Sequence, residues 1–246
     1  MQEIVVMTGR LNKLFTILRT PFYRQALLRQ RVAAAVEHDP LLKKIGRELK
    51  TVVDVGANRG QFALAARHHA QTAYIIAFEP LEEAAEVFAR VFLADPGVEL
   101  HRCAIGSRQG EVEMHVSSAD DSSSLLPISN LQQQLFPGTQ ESGTRQVSVT
   151  PLDAALYPEQ IQAPALLKID VQGYELEVLK GGSLLLGCFE FLLVECSYIE
   201  LYEGQALADE VVSYVEKAGF VLVERNNLVN DKKGQPIQAD FFFRRK

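Results

Sequence analysis

The stretch VVDVGANRG at residues 52–60 decides the fold. Its apolar, β-branched start predicts a strand, and Gly56 and Gly60 follow four residues apart, just before a helical segment. Glycines at such a turn let a ligand approach the backbone more closely than any Cβ would allow. A dinucleotide site would carry G-x-G-x-x-G, whereas only G-x-x-x-G is present here. The turn therefore predicts an α/β domain that binds a nucleoside without the phosphate pattern of a dinucleotide site.

Two carboxylates are expected beside this turn. Asp54 lies at the end of the first predicted strand, where a carboxylate suits an ammonium better than a pyrophosphate. Glu79 comes nineteen residues after Gly60, and an acidic residue at about that distance accepts hydrogen bonds from ribose hydroxyls. Alone, Glu79 is better explained as an acid that caps the helix after Pro80. Together with Asp54 and the glycines, it indicates a site for S-adenosylmethionine, which carries an amino acid moiety and no phosphate.

Strands and helices alternate after Lys50, which predicts a Rossmann-like α/β fold with a mostly parallel seven-stranded sheet. The last two strands are close in sequence, so we expect a hairpin and an antiparallel edge strand. The third strand ends in Ala104 and Ile105, which could line an adenine slot. Residues 51–246 should form this domain and residues 1–50 an N-terminal helical extension. The predicted strands are 51–56, 73–78, 98–105, 165–171, 189–196, 220–225 and 239–244.

The extension is basic. Residues 10–31 contain six basic and no acidic side chains, and apolar residues recur at helical spacing between positions 11 and 18, before Pro21 interrupts the run. One interpretation is a pair of amphipathic helices that pack on the domain or cap its pocket. The other interpretation is that the basic extension makes peripheral contact with an anionic membrane surface or a partner.

A long interruption separates the third and fourth predicted strands. Residues 117–143 are rich in Ser and Gln, with Asp120, Ser122, Ser123 and Ser124 near their start. A loop of this length inside a domain is unusual unless it is functional or disordered. We therefore predict a loop that either covers the acceptor as a lid or is merely solvated.

The chain resembles the FkbM-type methyltransferases over residues 51–244. The resemblance implies a class I methyltransferase fold, S-adenosylmethionine as methyl donor, and commonly O-methylation of a sugar or another small hydroxyl-bearing molecule. Many members carry Glu where this chain has Gln172, which weakens any acid–base role at that position. By this resemblance, the expected cofactor contacts are Asp54, Gly56, Asn58, Gly60 and Glu79. Its segments are VVDVGANRGQF, IIAFEPLEEA, HRCAIGSRQGEV, ALLKIDVQGYELEVLKGG and FLLVECSYIELYEGQ.

Candidate catalytic residues are expected at the carboxyl ends of the central strands. Methyl transfer to a hydroxyl requires alignment of the acceptor and removal of its proton. Lys168 and Asp170 end the fourth predicted strand, and Glu195 lies near the end of the fifth. Asp170 is the first choice for a catalytic or substrate-orienting carboxylate, although an ion pair with Lys168 on the same strand face is the alternative. Glu195 and Asp170 could together hold a divalent metal, but no third ligand is visible, so no metal ligand is assigned.

Two other functions compete with the methyltransferase. A nicotinamide-dependent oxidoreductase could use a similar sheet, but the middle glycine of its fingerprint is missing. A non-catalytic relative could keep the fold as a cofactor-binding module, although the intact glycine turn argues against that. None of the five histidines is favoured as a general base.

Composition and charge disfavour several other classes of protein. A net charge of -6 over 246 residues disfavours a general nucleic-acid-binding protein. The three cysteines show neither CxxC nor zinc-type spacing, which is typical of a reduced, intracellular protein. No apolar run approaches the ~20 residues that span a bilayer, and the N-terminus lacks a signal-peptide pattern. We therefore expect a cytoplasmic enzyme with a small-molecule acceptor, and the sequence leaves its oligomeric state open.

Overall fold

A seven-stranded sheet forms the centre of the protein in the computed structural model, which describes residues 13–119 and 121–246. The mostly parallel sheet and its hairpin confirm the predicted α/β architecture. Strand β10 runs antiparallel to both of its neighbours, so the antiparallel strand lies one position in from the edge. In spatial order the strands are β3 (Val98–His101), β2 (Tyr74–Phe78), β1 (Thr51–Val55), β7 (Ala165–Ile169), β8 (Phe191–Ser197), β10 (Pro236–Arg245) and β9 (Phe220–Asn230).

Helices cover both faces of this sheet because successive side chains of a buried strand point to opposite sides. All five residues of β1 are buried. Val52 belongs to the apolar core on one face, and Val53 and Val55 belong to the core on the other. The helices in the described part of the chain are α1 (residues 13–19), α2 (Pro21–Gln30), α3 (Asp39–Ile45), α4 (Gln61–His69), α5 (Glu82–Val91), α6 (Asn130–Leu135), α7 (Leu152–Ala155), α8 (Glu175–Gly181) and α9 (Ala208–Lys217).

A second, three-stranded sheet was not predicted. It contains β4 (Ala104–Ile105), β5 (Gly110–Ser117) and β6 (Glu141–Thr150), in the order β4-β6-β5. The prediction of one strand over residues 98–105 was wrong, because the chain leaves the main sheet after β3 and pairs with β6. Few side chains of β5 and β6 are buried, so these strands lack the apolar runs by which the other strands were recognised.

The predicted loop over residues 117–143 is also corrected. It contains α6 and the paired ends of β5 and β6, which form one long hairpin with α6 inserted at its tip. Ser124 pairs with His115 in an isolated bridge, and Ile128 pairs with Tyr202 in another. Asp120 lies outside the described residues. The segment is therefore attached to the domain by backbone pairing.

The N-terminal extension packs on one face of the sheet. Ile17, Tyr23 and Leu42 are buried in the same core as Phe62 and Phe242 from the domain. The packing interpretation is therefore supported, whereas contact of the extension with a membrane surface stays a prediction; residues 1–12, including part of the basic run, lie outside the described residues. No described helix combines the length and the apolarity needed to cross a membrane.

Gly56 allows the first strand to meet the loop after β7. Its φ is +78°, and a Cβ there would lie 1.9 Å from the carbonyl oxygen of Asp170. Any side chain would therefore force the two segments apart as well as strain the backbone. The glycine brings the ends of β1 and β7 into contact.

We predict that Gly56→Ala destabilises the protein more than Gly204→Ala. Gly204 has the same φ of +78°, but a Cβ added there would meet no atom within 4 Å, so this site isolates the backbone strain. Left-handed strain should cost ~1–2 kcal/mol at both sites, and the collision with Asp170 should add ~1–3 kcal/mol at Gly56. Urea-induced unfolding measures both values. Equal losses at the two positions would contradict the close approach of the two segments.

Candidate active site

A cavity of about 420 Å³ lies at the carboxyl ends of β1, β2 and β7. Ligands of parallel α/β sheets bind at this edge, and the volume is within the range of small-molecule sites. Asp54, Gly60 and Glu195 are not among the lining residues. The sequence-predicted site residues that line the cavity are Gly56, Asn58, Glu79, Ala104, Ile105, Lys168 and Asp170.

Glu79 ties the glycine turn to the second strand. One carboxylate oxygen accepts the backbone N–H of Asn58 and the other accepts the backbone N–H of Leu81, both at 2.8 Å. Burial raises the pKa of Glu79 to about 7, although these two N–H groups act in the opposite direction. Each oxygen retains a lone pair, so the carboxylate can still accept a hydrogen bond from a ligand in the cavity.

Asp54 is wholly buried and faces Lys168. The distance from Lys168 Nζ to Asp54 Oδ1 is 3.1 Å, and the same ammonium donates to the carbonyl oxygen of Gly56 at 3.0 Å. It also lies 3.5 Å from Asp170 Oδ2, so the predicted ion pair on this strand is present. Burial lowers the pKa of Lys168, but the negative charges of Asp54 and Asp170 raise it by more than burial lowers it. The pKa of Lys168 therefore lies above its ordinary value. Lys168 therefore remains an ammonium, which suits a positioning role and not proton acceptance.

Two buried acceptors beside the glycine turn lack hydrogen-bond donors. Asp54 Oδ2 and Gln61 Oε1 are removed from solvent and accept no hydrogen bond. Gln61 lines the cavity, and Asp54 lies at the end of the strand that leads into it. Buried acceptors are normally paired, because desolvation without a partner costs ~1–3 kcal/mol. A ligand that brings N–H or O–H donors, such as an ammonium, fits this part of the site.

Gln172 links the two carboxylates that were expected near the acceptor. Its Nε2 donates to Asp170 Oδ1 at 2.8 Å and to Glu195 Oε2 at 2.7 Å. Removal from solvent raises the pKa of Glu195 well above its ordinary value, and the carboxylates of Asp170 and Asp240 raise it further. One neutral amide thus supplies a donor to each carboxylate without adding a charge.

Tyr202 and the segment over residues 117–143 together hold Gln172. Tyr202 donates its hydroxyl to Gln172 Oε1 at 2.7 Å, and the Ser124 hydroxyl donates to the Gln172 carbonyl oxygen at 2.7 Å. Gln172 itself has a φ of +55°. Asp121 and Ser123 from the same segment line the cavity. The hydroxyl-rich stretch therefore bounds the cavity and holds the backbone of Gln172, while Tyr202 holds the amide that bridges the two carboxylates.

Glu175 holds the loop between β7 and α8. Its Oε1 accepts the backbone N–H of Val171 at 3.2 Å and that of Gly173 at 3.0 Å. The side chain is 3% exposed, and burial raises its pKa to about 7. Glu175 is not a lining residue, so it acts on the site through the loop.

The extension contributes cavity residues that sequence reasoning missed. Lys13, Arg31, Glu37 and His38 all line the cavity. Periodicity in the extension predicted helices, but it carried no information about which domain surface they would cover. A pocket shared between the extension and the domain can be recognised only once the chain is folded.

No group of three or more His, Cys, Asp or Glu side chains able to hold a metal ion occurs among the residues that the structure describes. The cysteines Cys103, Cys188 and Cys196 are free thiols.

Known proteins similar to this chain are methyltransferases. The family model described as Methyltransferase FkbM domain matches residues 54–222. The 2-O-methyltransferase NoeI of Sinorhizobium fredii (strain NBRC 101917 / NGR234) is 26% identical, over 88% of this chain and 89% of its own. Methyltransferase sdnD of Sordaria araneosa is 28% identical, over 69% of this chain and 73% of its own.

The fold is shared with a solved structure. Sp1610 of Streptococcus pneumoniae, in complex with S-adenosyl-L-methionine, superposes with a TM-score of 0.50 at 11% sequence identity. The superposition covers 85% of this chain and 72% of that protein. It agrees with the class I methyltransferase fold that the sequence resemblance implies.

We predict that Glu175→Gln stabilises the protein in a pH-dependent way. The raised pKa of about 7 means that the folded state holds the Glu175 proton more tightly than the unfolded state, whose value is near 4.5. Ionisation of Glu175 therefore costs stability as the pH rises from 4.5 through 7. Gln keeps an acceptor oxygen for both backbone N–H groups and cannot ionise.

Equilibrium unfolding at pH 4 and pH 8 tests this prediction. The variant and the wild type should have similar free energies of unfolding at pH 4, and the variant should be more stable by on the order of 3 kcal/mol at pH 8. A difference that is the same at both pH values would contradict the prediction.

Proposed function

Because this chain belongs to the FkbM methyltransferase family, we propose that it methylates a hydroxyl oxygen of a small acceptor such as a sugar. Family and fold support a methyltransferase that uses S-adenosylmethionine. The choice of oxygen as the methylated atom rests on the similarity to the 2-O-methyltransferase NoeI, which extends over 88% of this chain.

The residues around the glycine turn fit S-adenosylmethionine, which supplies an activated methyl group on a positively charged sulfur when it is bound. The Glu79 carboxylate can accept hydrogen bonds from the ribose hydroxyls. Gln61 Oε1, a buried acceptor that lines the cavity and lacks a donor, can accept from the ammonium. Asp54 does not line the cavity, and it supports this part of the site through Lys168, which also binds the glycine turn. Ala104 and Ile105 line the cavity on the side where the adenine is expected.

Asp170 is suited to orient the acceptor hydroxyl. It lines the cavity, and its side chain is 37% exposed, so one oxygen can reach a bound acceptor. Lys168 and Gln172 hold this carboxylate in place from two sides. Glu195 acts behind it, through the shared amide of Gln172. Alignment of this kind is the main contribution that a protein makes to transfer of an activated group.

The two competing functions differ in their support. Membership in a methyltransferase family leaves nothing in favour of a nicotinamide-dependent oxidoreductase. A non-catalytic relative would also bind S-adenosylmethionine, so only turnover separates it from an enzyme.

We predict that Glu79→Gln weakens S-adenosylmethionine binding by ~10–100-fold, because a charged acceptor for two ribose hydroxyls is lost. Isothermal titration calorimetry measures the effect, with the exposed Glu83→Gln on α5 as the matched control. Since burial raises the pKa of Glu79 to about 7, binding to the wild type should tighten as the pH rises through 7, and the variant should lose this dependence. Unchanged affinity in Glu79→Gln would remove the ribose assignment.

Turnover tests the reaction itself. We expect methyl-labelled S-adenosylmethionine to yield O-methylated product on one or more members of a panel of methyl glycosides, detected by NMR. Asp170→Asn should lower kcat by ~10–100-fold without changing cofactor affinity, because it removes an orienting charge and retains the shape. Cofactor binding without transfer to any hydroxyl of the panel would favour the non-catalytic alternative, and transfer to nitrogen would refute O-methylation.

A further inference from the structure

His38 enters the cavity from the N-terminal extension. It ends the short 3-10 turn Val36–His38, which is tied to the domain by a 2.9 Å hydrogen bond from the Ala35 N–H to the carbonyl oxygen of Gln61. The imidazole packs edge-on against Phe62, with the ring centroids 5.2 Å apart. Its side chain is only 12% exposed. These contacts hold an imidazole at the cavity in a defined position.

Asp240 faces one nitrogen of this ring. The distance from His38 Nδ1 to Asp240 Oδ2 is 3.7 Å. Asp240 lies on β10 opposite Glu195 of β8, and Asn227 Nδ2 donates to its Oδ2 at 2.6 Å. Burial raises the pKa of Asp240, and the net direction is upward although His38 and Asn227 act in the opposite direction. A carboxylate in this position favours a proton on the nitrogen that faces it and stabilises an imidazolium.

We propose that His38 is the proton acceptor in methyl transfer and that Asp240 is its positioning residue. Nδ1 and Nε2 lie on different sides of the imidazole ring, so a ring whose Nδ1 faces Asp240 turns Nε2 away from that carboxylate. His38 lines the cavity, and its charged partner Asp240 faces Nδ1 and not Nε2. The inference rests on the proposed function, because a hydroxyl acceptor must lose a proton.

Atoms and charge balance in this proton transfer. The acceptor O–H bond breaks as the oxygen forms its bond to the methyl carbon, and the proton moves to the lone pair of Nε2. The carbon–sulfur bond breaks with its electron pair retained by sulfur, which becomes neutral. The positive charge thereby passes to the imidazole, where Asp240 compensates it, and the proton later leaves to solvent.

The three candidate catalytic residues that the sequence predicted are less suited than His38 to accept this proton. Lys168 stays protonated between its two carboxylates, Asp170 accepts from Gln172, and Glu195 is not a lining residue. Charged groups face His38 from several elements: Glu37 of its own turn, Asp54 of β1 and Asp240 of β10. The same cavity is also lined by Lys13 and Arg31 of the extension, by Lys168 of β7 and by Asp170 directly after β7. Among them, only His38 combines access to the cavity with a nitrogen lone pair directed away from its partner.

The tautomer of His38 provides a test that needs no acceptor. In 15N-histidine-labelled protein, with the His38 signals assigned by their loss in His38→Gln, neutral His38 should carry its proton on Nδ1. Asp240→Asn should reduce this preference. A proton on Nε2 in the wild type, or a tautomer unaffected by Asp240→Asn, would overturn the proposal whether or not an acceptor has been found.

Kinetics provide the second test, on a methyl glycoside that the wild type methylates. His38→Ala should lower kcat by ~10²–10⁴-fold with unchanged S-adenosylmethionine affinity, and added imidazole should restore part of the lost activity. Asp240→Asn should give an intermediate loss. His115 on β5, whose Nδ1 lies 2.8 Å from Glu141, is the matched control, because His115→Gln breaks a histidine–carboxylate pair outside the cavity.

The outcomes separate the two proposals. Wild-type kcat in His38→Ala, or a loss without imidazole rescue, would overturn the role of His38 and leave O-methylation standing. An enzyme that binds S-adenosylmethionine but methylates no hydroxyl would instead remove the proposed function, and the tautomer measurement would still decide how His38 is arranged.

Discussion

The buried ammonium of Lys168 is the interaction on which the cavity depends. Its three contacts are Asp54 at 3.1 Å, the Gly56 carbonyl oxygen at 3.0 Å and Asp170 at 3.5 Å. These partners belong to β1, to the glycine turn and to the end of β7, so one charge joins the three segments that meet at the site. Burial of an ion is costly unless it is paired, and removal of one partner of such a pair typically costs ~3–5 kcal/mol. Loss of any one of these contacts should therefore destabilise the turn, the strand ends and the cavity wall together.

Negative charge along this edge of the sheet is balanced in two different ways. Next to β1, a cation neutralises the carboxylates, as Lys168 does for Asp54. Further along, the neutral amide of Gln172 supplies one donor each to Asp170 and Glu195. A glutamate at position 172 would replace both donors with a third negative charge, which only a bound proton or another cation could offset. Gln172 thus adds a donor for each carboxylate, beside the Lys168 ammonium that faces Asp170 and the raised pKa that favours a proton on Glu195.

The position of the cavity beside the glycine turn could be predicted from sequence because its determinants are local. The glycine turn at 56 and 60 and the acid at 79 follow strands whose apolar runs are easily recognised, and parallel strands bring their carboxyl ends to one edge. The second sheet could not be predicted, because β5 and β6 are mostly exposed and hairpin pairing is not local. For the extension, packing on the domain or capping of the pocket was one interpretation, but the sequence did not show which side chains would line the cavity. His38 lacked any signal for the same reason: its partner Asp240 is two hundred residues away in sequence.

The contrast between local and long-range determinants also explains how far family membership can inform function. The family match covers residues 54–222, which include the glycine turn, Glu79, Lys168 and Asp170. His38 and Asp240 lie outside that range, on the extension and on β10. The matched region therefore contains the residues expected to bind the methyl donor, whereas Lys13, Arg31, Glu37 and His38 line the cavity from the extension that packs against it. Relatives that share the matched region can therefore differ in the cavity residues that flanking segments supply, and a shared fold does not by itself fix what is methylated.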